Sequence, residues 1–116
     1  KERNAMSNVS ANTQSDLDRR AEEQKVLLHV TEDLIKAGGS SQRDADYFEA
    51  LDRNKFLWSA LRQDVMSRAN RLPQDLREQI DQLGRWVEEQ TARVLRGESE
   101  INSLIVVNRN VIDGLA

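Results

Sequence analysis

Acid–base or nucleophilic chemistry would have to start from one histidine, His29, and from carboxylates such as Glu22, Glu23, Glu88 and Glu89, because the chain has no cysteine. A zinc site or a nucleophilic triad needs several such groups converging. A single imidazole on the flank of a helix is instead a surface group. The carboxylates fall on polar helix faces, where nothing desolvates them into the range useful for proton transfer. Gly38-Gly39 is not followed by the Lys-Ser/Thr pair of a phosphate-binding loop. These residues predict a protein that is not an enzyme and carries no cofactor or metal.

Binding chemistry has more raw material. Arg77, Arg85, Arg93 and Arg96 could form a basic stripe for RNA, but Asp81 and Glu89 interrupt it. Alternating charges four residues apart form local ion pairs worth about 0.2–0.5 kcal/mol each. A solvated ladder of Arg77, Asp81, Arg85, Glu89 and Arg93 is expected, and direct RNA binding is not. Trp58 lies inside an apolar stripe and is expected in the core. Trp86 lies at the edge of its stripe, where an indole can be half-buried and shared with a partner. Phe56 falls nearly opposite the stripe of its helix, so it is exposed or faces a second partner. Asn54 and Asn108 sit inside apolar stripes, where an unpaired amide costs about 1–3 kcal/mol. They imply a buried network that sets helix register, or an amide that reads the backbone of a partner segment.

The elements that position these residues follow from spacing. Residues 1–14 are rich in Ser, Asn and Thr and read as a flexible N-terminal arm. Residues 15–116 form the helical domain. Ser15 or Asp16 can cap a first helix whose stripe is Leu17, Ala21, Gln24, Leu28, Thr31 and Ile35, flanked by Leu27 and Leu34. Gly38-Gly39 ends it through the left-handed conformation open to glycine. A second helix runs from near Asp44 to about Arg68 on Tyr47, Leu51, Trp58, Leu61 and Val65. Leu72-Pro73 opens a third, since proline is favoured in a first turn, with Leu76, Ile80, Leu83, Val87 and Val94 inward. Gly97 closes it and Ser99 can cap a fourth, lined by Ile101, Leu104, Ile105, Asn108, Val111, Ile112 and Leu115. Ile105-Val106-Val107 alone would suit a strand, but its neighbours keep helical spacing.

The expected fold is therefore all-α, a single-domain bundle of about four helices, with the second and third antiparallel across a short connection. At 116 residues the chain holds one core and no room for a large catalytic cleft. With 32% charged residues and a mean hydropathy of −0.71, each helix keeps one wet face. The net charge of −3 argues against a nucleic-acid backbone as partner. No apolar run approaches the roughly 18 residues of a membrane span, and the polar first residues do not read as a secretory signal. A cytoplasmic location is expected, which the absence of cysteine suits.

From about Asp46 onward the chain resembles the FlaF family of flagellar biosynthesis regulators. The residues that carry the resemblance are Ala-Leu-Asp-Arg-Asn-Lys-Phe-Leu-Trp (50–58), Leu-Pro-Gln-Asp-Leu-Arg (72–77), Leu-Gly-Arg-Trp-Val (83–87), Val-Leu-Arg-Gly-Glu (94–98) and Val-Asn-Arg-Asn-Val-Ile-Asp-Gly-Leu (107–115). Asn54, Trp58, Pro73, Asn108 and Arg109 all fall within these motifs. Three features depart from the family pattern: Phe56 stands where a basic residue is common, Gly84 where Ile or Leu is, and Ser15 leads into Asp16-Leu17 where a Ser-Pro-Arg turn often precedes the first helix. The resemblance implies a cytoplasmic, non-enzymatic factor that binds flagellin as a secretion chaperone or adaptor. It also implies action together with FlbT, which limits flagellin translation. The alternative it leaves is a post-transcriptional regulator acting on flagellin mRNA. Phe56 and Trp86, left over by the apolar stripes, are the candidate partner contacts.

Overall fold

Apolar residues three and four apart build four α-helices in the computed structural model, which describes the backbone of residues 2–68 and 70–115 and the side chains of residues 21–68 and 70–114. They are α1 (Glu2–Gly39), α2 (Ala45–Met66), α3 (Gln74–Leu95) and α4 (Asn102–Leu115). The fold is the expected all-α bundle, and residues 105–107 are helical. α1 packs against α2 and α4, and α3 against the same two, so the helices form a square with α1/α3 and α2/α4 on its diagonals.

All neighbours run antiparallel. Asp33 of α1 meets Arg53 of α2 while Lys36 and Ala37 lie beside Asp46 and Glu49. Arg62 of α2 reaches Asp81 and Glu88 of α3, and Val65 lies beside Gln74 and Arg77. Thr31 of α1 meets Asn108 of α4, and Gly38 meets Ile101, the residue just before α4. Leu34, Leu51, Trp58, Val87, Val94 and Leu104 are the innermost side chains of one continuous core.

Two helix ends show how local chemistry sets the corners. Asp44 caps α2, its Oδ1 accepting from the Tyr47 amide at 3.0 Å. At the end of α3, Gly97 has φ +76°, the Gly97 amide donates to Val94 O (3.0 Å) and the Glu98 amide to Arg93 O (2.9 Å). That pair of bonds is a Schellman motif, which needs a left-handed residue at this position.

Four expectations are corrected. The helix does not start at Ser15 or Asp16: the backbone is helical from Glu2. The side chains of the arm at residues 1–14, and of Ser15, Asp16 and Leu17, lie outside the described residues, as does that of Leu115. The buried face of α1 is Leu27, Val30, Thr31, Leu34 and Ala37, whereas Leu28 and Ile35 are 46% and 40% exposed. Two adjacent apolar rows run along this helix, one residue or about 100° apart, and periodicity alone cannot choose between them. Thr31 belongs to both rows, and its contact with Asn108 is common to either.

Among the described residues Gly97 is the only glycine with positive φ, so Gly38 and Gly39 do not end α1 in the left-handed conformation. Gly38 is instead small because α4 lies against it: a β-carbon there would stand 2.9 Å from Ile101 Cγ2. Ser99 does not cap α4, which begins at Asn102; its hydroxyl accepts from Gln90 Nε2 of α3. Gln90 also donates to Ser103 Oγ at 2.9 Å, tying α3 to the first turn of α4.

Candidate functional site

The two asparagines meet at the centre of the bundle. Trp58 Nε1 donates to Asn108 Oδ1 at 2.9 Å, and Asn108 Nδ2 donates to Asn54 Oδ1 (2.8 Å) and Thr31 Oγ1 (3.1 Å). The Thr31 hydroxyl in turn donates to Leu27 O at 2.6 Å. Asn54 and Asn108 are fully buried. The network joins α1, α2 and α4 across a diagonal and accounts for both amides as architecture. Asn54 Nδ2 has no partner among the described residues.

Trp86 is placed by its neighbours on α3. Gly84 faces α2, because the Arg62 stem lies over it, and Trp86, two residues on, is turned about 200° away. Gln90, one turn beyond Trp86, bonds α4. Trp86 therefore lies on the α3–α4 seam, 36% exposed. Leu83 on the same side of α3, and Val107 and Val111 on α4, are only partly buried against the core. Gln90 ties this seam at the end where the α3–α4 connection runs.

Phe56 is 77% exposed on the outer face of α2. The structure does not bring Phe56 and Trp86 together: one points outward from α2, the other along the α4 side of α3. Trp58 is in the core, Pro73 stands at the N-cap of α3, and His29 is exposed.

Arg77 Nε of α3 is buried without a hydrogen-bond partner among the described residues, whereas Arg85 pairs with Asp81 (3.2 Å), and Arg96, the C-cap of α3, pairs with Glu98 (3.0 Å). Hydrogen bonding and the attraction between them raise the Arg96 pKa and lower that of Glu98. Asp81 also takes Arg62 Nε from α2 at 3.2 Å, so it is a link between helices rather than a rung of a solvated ladder. Arg62 was invisible in the sequence. Its signal is Gly84: a β-carbon there would stand 2.3 Å from Arg62 Cδ, and a glycine in mid-helix marks a close approach. The departure from the family pattern at Gly84 is matched by this arginine stem.

Arg109, on α4, lines a cavity of about 830 Å³ where the α1–α2 and α3–α4 connections meet. Sequence reasoning placed Arg109 in a motif but gave it no surroundings, since the cavity arises only when the two connections come together. No helix among the described residues is long and apolar enough to cross a membrane.

No curated protein and no solved structure matches the chain. The family model of flagellar protein FlaF matches it over residues 5–115, taking in all four helices and the asparagine network. The chain belongs to the FlaF family of flagellar proteins.

Proposed function

We propose that this protein binds flagellin in the cytoplasm as a secretion chaperone or adaptor, promoting its production or export, with FlbT as a second partner and without enzymatic activity. The observation that carries the reading is the half-exposed Trp86 on the α3–α4 seam, with the partly buried Leu83, Val107 and Val111 on the same two helices. An amphipathic helix laid along this seam would bury its apolar face against them, as in helix-in-groove recognition. Flagellin held in this way stays unassembled until it is delivered for export. Membership of a flagellar family supports the choice of flagellin as the guest. Phe56, isolated on the opposite side of α2, offers a separate contact for FlbT.

Copurification from flagellated cells tests the reading. Flagellin should be recovered with the native chain and depleted with Trp86→Asp, while Phe56→Ser retains flagellin and loses FlbT. Recovery of neither protein with the native chain would sink the proposal.

A further inference from the structure

The cavity at the end of the bundle has a mostly polar lining, with apolar surface supplied by Ile35 and by two nearly buried isoleucines beneath it. Ile101 and Ile105 are buried beneath it and Ile35, 40% exposed, forms one wall. Arg43 and Arg109 stand at the mouth. The Arg43 guanidinium lies over the Tyr47 ring, 5.2 Å from its centroid. No hydrogen bond or ion pair engages Arg109 among the described residues. Two carboxylates share the lining: Glu98 is held by Arg96, and Glu100 has no cation partner among the described residues.

We infer that this cavity captures the C-terminal end of a partner polypeptide whose last residues are apolar, with the terminal carboxylate on Arg109 and the side chains on Ile35, Ile101 and Ile105. A guanidinium is a fork of donors that fits one carboxylate in bidentate fashion, and capture of a chain terminus is an established mode of peptide recognition. The balance of charge selects among anions. Glu98 and Glu100 repel a multiply charged phosphate, whereas a single carboxylate at the end of an apolar segment meets Arg109 and keeps its apolar part away from them. The size of the cavity falls in the range that encloses most of a short ligand. This site lies at the connection end of the bundle, apart from Trp86, and does not depend on the partner being flagellin.

The test uses the full chain, labelled with nitrogen-15, and an N-acetylated apolar pentapeptide with either a free C-terminal carboxylate or a C-terminal amide. The free acid should shift the amides of Gly38, Ser40, Ile101 and Arg109. Amidation of the peptide, or Arg109→Gln, should weaken binding by about ten- to a hundred-fold, as loss of a charged hydrogen bond does. Arg109→Lys should recover part of the loss, and Ile35→Asp should abolish binding. Both side chains are exposed, so these variants keep the fold, which their circular dichroism will show. Equal binding of acid and amide, shifts confined to the Trp86 region, a stronger response to inorganic phosphate than to the peptide, or no shift at millimolar peptide would each overturn the inference.

Discussion

Trp58 and Asn108 lie on helices at opposite corners of the square, yet the indole N–H of one bonds the amide oxygen of the other at 2.9 Å in the fully buried centre. Asn108 makes three side-chain bonds there, whereas Asn54 makes one and leaves its Nδ2 unpartnered. Asn108→Leu strands Trp58 Nε1 and Asn54 Oδ1, and should cost about 3 kcal/mol. Asn54→Leu removes an orphaned donor along with one acceptor, and should cost about 1 kcal/mol or less. Urea denaturation of the two variants checks the order; a larger loss for Asn54→Leu would contradict the network described.

Gly84 and Arg62 should be energetically coupled. Alanine at Gly84 gains about 0.5–1 kcal/mol of helix propensity but must lift the Arg62 stem from Asp81 and Glu88. Gly84→Ala is therefore expected to destabilise the native chain and to stabilise the Arg62→Ala variant. A double-mutant cycle measures this directly, and additive effects would show that the stem does not rest on Gly84.

Adjacent glycines at the end of α1 should respond in opposite ways. Gly38→Ala drives a methyl to 2.9 Å from Ile101 Cγ2 and should lower stability by about 1 kcal/mol. Gly39→Ala meets nothing within 4 Å and should raise it by up to about 1 kcal/mol. Thermal unfolding of both variants distinguishes a packing role from a turn-forming one.

Glu98 should titrate below an ordinary glutamate, because Arg96 stabilises its carboxylate by a hydrogen bond and by charge. A folded-state pKa lower than the unfolded one contributes stability that is present above the unfolded value and lost as pH falls through the folded value. Carbon-13 NMR of the Glu98 carboxyl should give a midpoint below that of an ordinary glutamate, and Arg96→Gln should raise it while Arg93 still draws it down.

The two tryptophans should separate in quenching experiments. Acrylamide should reach Trp86, 36% exposed, and leave Trp58, 1% exposed, largely protected. Binding of flagellin along the α3–α4 seam should protect Trp86 as well. Unchanged quenching in the complex would place the guest elsewhere.

The face of α3 could be read from spacing because it has one apolar row, and that of α2 from the row Tyr47, Leu51, Trp58 and Val65, although Phe48, Phe56 and Met66 lie exposed outside it. On α1 the rows through Leu27 and Leu28 are both apolar and share Thr31, and only the packing of the other helices chooses between them. Asn54 and Asn108 announced a network by sitting where amides are costly, although which atoms pair requires three helices to be in place. Trp86 was legible as an edge residue, but its place on the α3–α4 seam requires both helices to be in place. Nothing local to Ser99 distinguishes a cap from an acceptor for Gln90. The cavity around Arg109 joins residues from both ends of the chain's helical part and has no signature in any one segment.

The amide cluster also limits how a guest helix can be accommodated. A chaperone built only of apolar helices could exchange one of its own for a guest of similar pattern, giving a swapped assembly. Here, removing α4 would withdraw Asn108 and leave Trp58 Nε1, Asn54 and Thr31 facing an incoming helix that has no amide at that level. On the chaperone reading, a guest helix would add to the bundle rather than replace α4, because eviction would strand Trp58 Nε1 and Asn54 Oδ1.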